Sequence, residues 1–333
     1  GEGEQAEHIS YGSTLSMDGN ASRQFDFMLS NPPYGKSWKT DAEKMGGKKE
    51  ILDSRFNTYL EGGEQLVMIP RVSDGQLLFL LNNVAKMKKD TPFGSRIAEV
   101  HNGSSLFTGD AGSGESNARR FFIENDLVEA IIALPGNMFY NTTQETYIWV
   151  LSNRKEARRK GKIQLIDATT MKTPLRRNMG KKNCEISKEQ QRMIIEWYIE
   201  MAENEYSHIL SNNEFGYWKI TVLHPLKDEK GTIATDKKGK KLSDKTLTET
   251  EIVPFSYEGG IDGFLEKEVL TYSPDAWVNT TATKIGYDLS FEKYFHRAAA
   301  DRSNEEIISE LSMLQEETSR LIAEILGGVV YDN

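Results

Sequence analysis

The segment FDFMLSNPPY, residues 25–34, places an apolar run directly before an Asn-Pro-Pro turn. Proline has no N–H to donate to a β-ladder, so the run predicts a strand that ends before Asn31. Similar runs predict further strands, and apolar residues at helical spacing predict helices. The predicted strands are residues 64–69, 96–100, 128–134, 147–151, 162–167 and 217–222, and the predicted helices are residues 75–88, 115–125 and 187–210. Strands that alternate with helices indicate an α/β sheet.

The composition is that of a globular protein, with 38% hydrophobic and 27% charged residues among 333. This length allows one large domain with an appendage, or two domains. The formal net charge of -9 argues against a lone nucleic-acid-binding module, which is usually basic. An acidic chain can still bind DNA through a local groove, so the charge suggests that a partner supplies much of the phosphate contact.

The cysteine and histidine content excludes two classes of site. Cys184 is the single cysteine, so no internal disulfide is expected, and a reduced, cytoplasmic compartment fits. We expect Cys184 to be an inert packing residue. The five histidines are scattered and form no zinc-binding spacing with it, so no metal site is predicted. No apolar run is long enough to span a bilayer, and no membrane partner is predicted.

Three segments are dominated by charge. Residues 36–63, rich in Lys, Asp, Glu and Gly, predict a mobile loop, and residues 227–245 predict a charged hairpin or loop. A basic run could contact phosphate, although a solvated turn is the favoured interpretation. Its members are Arg154, Lys155, Arg158, Arg159, Lys160 and Lys162.

The C-terminal residues 303–326 predict a long helix. Ser303 and Glu306 form a capping box at its start, and Gly327-Gly328 ends it. Apolar residues alternate four- and three-residue steps, the spacing of a coiled-coil seam. The seam is Ile307, Leu311, Leu314, Thr318, Leu321 and Ile325. We expect this helix to pack either on its own domain or on a partner.

The Asn31-Pro32-Pro33-Tyr34 segment has the residue types that amine methylation needs. A ring-conjugated exocyclic amine is a poor nucleophile because its lone pair is delocalised. The Asn31 side-chain carbonyl and the Pro32 backbone carbonyl can each accept one N–H, which favours pyramidal nitrogen and frees the lone pair. The prolines stiffen the loop, and Tyr34 can stack on a flipped base. The segment resembles the catalytic motif of amino-methyltransferases that use S-adenosylmethionine. An ordinary strand-ending turn remains open as an alternative.

A wider, collinear resemblance runs from about residue 10 to residue 326. Its segments include RIAEVHNGSSLFTGDAGSGESN (96–117), NDLVEAIIALPGNMFYNTTQETYIWVL (125–151), FGYWKITV (215–222) and FLEKEVLTYSPDAWV (264–278). Together they resemble the methylation subunit of type I restriction–modification systems, which are N6-adenine DNA methyltransferases. The resemblance implies a Rossmann-like methyltransferase sheet, followed by a mixed extension and a helical arm. The corresponding expected domains are residues 1–170, 171–296 and 297–333.

The resemblance also implies a cofactor, partners and residue roles. The cofactor is S-adenosylmethionine, and the family's Gly-rich cofactor motif lies N-terminal to the catalytic motif. Only thirty residues precede Asn31, so we expect the N-terminal part of the sheet to be missing and the chain to be a fragment, inactive alone. The partners would be DNA, a DNA-specificity subunit that the arm contacts, and a restriction (nuclease) subunit. Asn31, Pro32, Pro33 and Tyr34 would be catalytic.

Several alternatives stay open at this point. TGDAGSGES, residues 108–116, mimics a Gly-rich cofactor loop in a permuted order, but a loop that caps the following helix is favoured. Phe139 is a candidate wall of the base pocket, whereas Tyr140 is at least as well explained by packing. The same catalytic motif occurs in methyltransferases that act on protein glutamine or RNA. A non-catalytic assembly fragment is the third alternative.

Overall fold

The computed structural model describes residues 9–60, 62–295, 308–309, 311–315 and 318–319. The chain divides into two compact units, Gly1–Phe291 and Glu292–Asn333. The strands are β1 Phe27–Ser30, β2 Asn57–Tyr59, β3 Gln65–Val67, β4 Arg96–Asn102, β5 Val128–Leu134, β6 Thr146–Ser152, β7 Lys162–Asp167, β8 Thr173–Met179, β9 Lys182–Glu185, β10 Ser207–Ser211, β11 Gly216–Leu223, β12 Glu249–Pro254, β13 Trp277–Val278 and β14 Lys284–Tyr287. The α-helices are α1 Lys39–Lys44, α2 Gln76–Ala85, α3 Ser104–Phe107, α4 Gly114–Glu124, α5 Lys188–Glu200, α6 Gly260–Phe264 and α7 Phe291–Phe295.

The main sheet has six strands in the order β1-β4-β6-β5-β7-β10, which confirms the predicted α/β class. β1 is parallel to β4, and β5 is parallel to β7, while β6 lies antiparallel between β4 and β5. The carboxyl ends of β1, β4, β5 and β7 therefore meet at one edge of the sheet, called here the carboxyl edge. Loops that leave this edge are placed side by side.

Helices cover both faces of this sheet. Successive residues of β6 point to opposite faces. Trp149 is fully buried and its ring lies 6.1 Å from that of Phe122 on α4. Val150 on the other face belongs to a buried cluster that includes Ile194 of α5. All seven residues of β5 are buried, as expected for a strand covered on both sides.

A second, smaller sheet is built on β11, which pairs with β12, β13 and β14. Arg119 of α4 joins this sheet to the main one: its guanidinium donates to the backbone carbonyls of Tyr287, Ser105 and Thr108. Its side chain is fully buried, and burial lowers the pKa of Arg119 to about 10. One buried cation on α4 thus binds both residues 105–108 and the distant Tyr287 of β14.

Two predictions about local structure are wrong. Residues 36–63 are not simply a mobile loop, because α1 and β2 form there and four widely spaced apolar side chains are buried. They are Trp38, Ala42, Ile51 and Phe56. The helix predicted over residues 187–210 ends at Glu200, where Met201 adopts a left-handed conformation. The following residues form β10, which pairs with the edge of β7.

The basic run at residues 154–162 is only partly the solvated turn that was predicted. Lys155 is buried and its Nζ lies 2.6 Å from Asp126 Oδ1. Arg159 is also buried, with its guanidinium 4.4 Å from the Tyr198 ring centre. These two cations therefore contribute to packing.

The remaining segments follow the predictions where they are described. Short bridges such as Thr235↔Lys241 form the charged hairpin predicted over residues 227–245. In the C-terminal arm, residues 308–309 and 311–315 are helical, with Ile308, Leu311 and Leu314 exposed. Thr318 of the predicted seam is helical and exposed as well, whereas Ile307, Leu321, Ile325 and both predicted helix ends lie outside the described residues. No described helix is both long and apolar enough to cross a membrane.

Candidate functional site

The Asn31-Pro32-Pro33-Tyr34 segment, called here the NPPY loop, leaves the carboxyl end of β1. Asn31 and Pro33 are exposed, Pro32 is buried and Tyr34 is half-buried. Among the described residues, the Asn31 side chain makes no hydrogen bond. Its carboxamide oxygen is consequently available to accept one from a ligand. Burial raises the pKa of the Tyr34 hydroxyl, so this ring is neutral at physiological pH.

A glycine turn closes the NPPY loop. Gly35 has a φ of 66°, a left-handed conformation that costs a residue with a Cβ about 1 kcal/mol or more. Its N–H donates to Asp74 Oδ1 at 3.2 Å. The end of the loop is thereby attached to the segment that starts α2.

Asp74 is the centre of a polar network at the carboxyl edge. It is buried, and its Oδ2 accepts from Gln76 Nε2 at 2.6 Å and from Ser104 Oγ at 2.8 Å. Gln76 Nε2 also lies 2.7 Å from Asn102 Oδ1 at the end of β4. Since β4 is the parallel neighbour of β1, the network joins the loops that follow the two strands.

Trp38 provides a second attachment. Its indole N–H donates to the Arg71 carbonyl at 2.9 Å, and its backbone N–H donates to the Val72 carbonyl at 3.0 Å. A Cβ on Gly75 would lie 2.9 Å from the Trp38 ring, so this close approach needs glycine. The NPPY loop is therefore held by Trp38 and Gly35 against one segment, residues 71–75.

Sequence reasoning identified the NPPY loop but not its supports Trp38, Asp74, Gln76 and Asn102. One signal was present: an Asp just before the first apolar residues of a helix is typical of a helix start. That signal indicates helix capping. It does not show that Asp74 also accepts a hydrogen bond from Gly35, which lies 39 residues away in the sequence.

Phe139 and Tyr140 lie in the turn between β5 and β6, which also leaves the carboxyl edge. Two strands, β4 and β6, separate β5 from β1, which corresponds to about 14 Å at ordinary strand spacing. Phe139 is half-buried and Tyr140 exposed. The role of Phe139 in a base pocket stays a prediction.

The Gly-rich residues 108–116 cap a helix, as favoured from the sequence. Ser113 is the N-cap of α4 and its side chain accepts from the Ser116 N–H. A Cβ on Gly114 would lie 1.9 Å from the Ile69 carbonyl oxygen, so this glycine serves backbone packing. The short helix α3, rather than a strand, precedes the segment. The permuted cofactor-loop alternative therefore lacks its structural context.

The predicted role of Cys184 agrees with its surroundings. The side chain is buried, and its Sγ lies 3.3 Å from the Gly136 carbonyl oxygen. A buried thiol of this kind acts as a small packing residue.

Comparison with known proteins gives a family and several relatives. The family model described as N-6 DNA methylase matches residues 2–216. The MjaVII type I restriction enzyme methylase subunit of Methanocaldococcus jannaschii is 32% identical over 149 residues, 44% of this chain and 22% of that protein. The MjaIX methylase subunit of the same organism is 24% identical over 199 residues, 60% of this chain and 32% of that protein. The chain thus spans less than a third of these relatives' length.

Among solved structures, a type I restriction–modification methyltransferase subunit from Streptococcus thermophilus is similar to this chain. The two are 24% identical, with a TM-score of 0.47. The match covers 61% of this chain and 38% of that one.

Proposed function

Because the chain belongs to the N-6 DNA methylase family, we propose that its NPPY loop catalyses methyl transfer to the N6 amine of adenine in DNA. The observation that carries the proposal is the position of Asn31. It is exposed at the carboxyl end of a strand, without a hydrogen-bond partner among the described residues, on a loop that Gly35 and Trp38 attach to residues 71–75. An acceptor fixed in advance stabilises the reacting geometry without reorganisation.

In the proposed reaction, Asn31 Oδ1 and the Pro32 carbonyl each accept one N–H of the adenine amine. The nitrogen becomes pyramidal, and its lone pair is directed to the methyl group that it attacks. No carboxylate base is required: as the N–C bond forms and the donor's methyl–sulfur bond breaks, the amine proton becomes acidic and passes to solvent. Pro33 stiffens the loop, and the half-buried ring of Tyr34 stacks on the extruded base.

The N-6 DNA methylase family implies S-adenosylmethionine as the methyl donor. The Gly-rich residues 108–116 do not form a cradle for it, because Gly114 is packed against Ile69 and Ser113 caps α4. The resemblance implies that the family's Gly-rich cofactor motif lies N-terminal to Asn31. Exposed Phe27 and Leu29 on edge strand β1 support this, since a further element there would bury them.

The proposed partners are a DNA-specificity subunit and a restriction subunit, with DNA as substrate. Two relatives are methylase subunits of type I restriction enzymes, which supports a multisubunit setting. The net charge of -9 supports it as well, because sequence choice and much of the phosphate contact would then belong to a partner. Neither a protein-glutamine nor an RNA substrate is favoured by any observation.

The test is substitution Asn31→Ala in the full-length protein that carries this chain, assayed with its specificity subunit. Loss of one preorganised acceptor is expected to lower the rate about a hundredfold or more. Asn213→Ala is the matched control, because Asn213 is exposed and its side chain has no hydrogen bond in the described part of the chain. Near-normal turnover by the Asn31 variant, or transfer to RNA or a glutamine peptide instead of DNA, would refute the proposal.

A further inference from the structure

The β8–β9 hairpin carries a concentrated positive charge in an acidic chain. Residues 172–182, KTPLRRNMGKK, begin just before β8 and contain five cations and no acid, and Glu185 at the end of β9 is the hairpin's one acid, whereas the whole chain has a net charge of -9. The cations are Lys172, Arg176, Arg177, Lys181 and Lys182. A local basic patch on an acidic protein indicates an anionic partner at that place.

Four of these cations are free to bind a ligand. Lys172, Arg176, Arg177 and Lys181 are exposed, and none of them forms an ion pair with the described residues. Lys182 is half-buried, with its Nζ 5.8 Å from the centre of the Tyr140 ring. This contrasts with Lys155 of the basic run, which is buried and paired with Asp126.

The hairpin is fixed at the carboxyl edge. It follows β7, whose carboxyl end lies at the same edge as that of β1. The Lys181 N–H donates to the Tyr140 carbonyl at 2.9 Å, and the Asn183 N–H donates to the Asn137 carbonyl at 3.1 Å. A Cβ on Gly180 would lie 2.6 Å from the Tyr140 carbonyl oxygen, so the contact is close. These bonds attach the hairpin to the β5–β6 turn.

We propose that the β8–β9 hairpin binds the sugar-phosphate backbone of duplex DNA beside the target base. Arg176 and Arg177 lie in the stretch of β8 between Pro174 and Met179, where the pairing with β9 shifts register, and both side chains are exposed to a phosphate backbone. The major groove is about 12 Å wide and admits a two-stranded ribbon. β7 lies four strand spacings from β1, about 19 Å. This span corresponds to between five and six base pairs, at about 3.4 Å each.

The identity of the nucleic acid rests on the proposed function, while the charge and position of the hairpin do not. The test measures binding of the chain to a short DNA duplex between about 50 and 200 mM salt, without methyl donor. The double variant Arg176→Gln with Arg177→Gln should reduce the slope of log K against log salt by about 2, since each lost phosphate contact removes roughly 0.9. At about 0.1 M salt its affinity should fall roughly 10- to 60-fold.

Two further variants separate specific contact from net charge. Lys237→Gln with Lys238→Gln removes the same charge from an exposed position on the hairpin of residues 227–245, and should leave the slope nearly unchanged. Arg176→Lys with Arg177→Lys should retain most of the slope. Equal effects of the two glutamine pairs would overturn the inference. So would a lack of DNA binding at low salt, tighter binding of RNA, or loss of an acidic protein partner with DNA binding intact.

The outcome is distinguishable from that of the proposed function. Asn31→Ala should bind DNA with an unchanged salt slope, because it removes no charge. If the Arg176 and Arg177 double variant has a smaller salt slope while no methyl transfer is found, the proposed function fails and the hairpin inference stands. If methyl transfer depends on Asn31 while both glutamine pairs have the same salt slope, the proposed function stands and the hairpin inference fails.

Discussion

The N–H of Gly35 and the Oδ1 of Asp74 lie 3.2 Å apart, and this bond joins the end of the NPPY loop to the start of α2. The same oxygen accepts from the Gln76 N–H at 3.2 Å. One buried carboxylate thus serves the loop and the helix together. The position of Asn31 is consequently linked to a rigid element of the core, although no catalytic role falls on Asp74 itself.

Asp74→Ala is expected to lower kcat by about 10- to 100-fold with little change in KM, because the loop loses its attachment and the acceptors of the NPPY loop lose their fixed position. Steady-state methylation kinetics, with DNA binding measured separately, would check this. Asp262→Ala is the control, since Asp262 is exposed and unpaired in the described part of the chain. A rise in KM at constant kcat would contradict a positioning role.

Much of the sheet could be predicted from the sequence because its strands are buried on both faces and give long apolar runs. β5 and β7 are examples. β10 could not be predicted, because its residues continue the apolar spacing of α5. Only the pairing with β7 gives them extended structure. The supports of the NPPY loop were missed for a related reason. Trp38 and Asp74 act through contacts across 33 and 39 residues, which local patterns do not contain.

Gly114 offers a stability test of the Gly-rich segment. A Cβ at this position would lie 1.9 Å from the Ile69 carbonyl oxygen, so Gly114→Ala must displace backbone. We expect a loss of about 1–3 kcal/mol, the usual cost of overpacking. Gly112→Ala is the comparison: its φ is 77°, but the nearest atom to its Cβ, on Lys284, is 3.5 Å away. It should lose only about 1 kcal/mol.

Denaturant unfolding of the two alanine variants would measure the difference. A larger loss for the Gly112 variant would contradict the packing role assigned to Gly114. The same outcome would reopen the possibility that the segment is built for a ligand.

We expect Asp18 to contribute to the free energy of unfolding in a way that depends on pH. Its carboxylate is buried, with Oδ2 2.7 Å from Lys86 Nζ and 3.6 Å from Arg55 Nη1. Burial by itself raises the pKa of Asp18, but the bonds from Lys86 and the Asn20 N–H and the two positive charges outweigh it, so the pKa is lowered from 3.8. A lowered pKa in the folded state stabilises the protein above the unfolded pKa and ceases to do so as the pH falls through the folded value.

The check is the free energy of unfolding from neutral pH into the acid range for the parent and for Asp18→Asn. The variant should be less stable above about pH 4, and the difference should shrink below it. Asp262→Asn, at an exposed site, is the matched control. A difference that grows with acidity would show that the pKa of Asp18 is raised instead.

We expect the C-terminal arm to be the docking site for the proposed DNA-specificity subunit. Leu311 and Leu314 are 61% and 56% exposed on the described helical turns, at a spacing that places them on one face. Apolar residues exposed in this pattern are buried when a second helix packs on them. The double variant Leu311→Asp with Leu314→Asp should therefore weaken assembly, and each leucine removed from a packed interface should cost roughly 2–5 kcal/mol.

Affinity for the specificity subunit, measured by calorimetry, decides whether the arm is the docking element. Leu242→Asp with Leu247→Asp is the matched control, since these leucines are 41% and 53% exposed in another part of the chain. A specific interface predicts loss of affinity in the arm variant alone, with both variants folded to the same extent. Unchanged affinity in the arm variant would mean that the subunit docks elsewhere, and equal loss in both would point to a general effect of added acid on an already acidic chain.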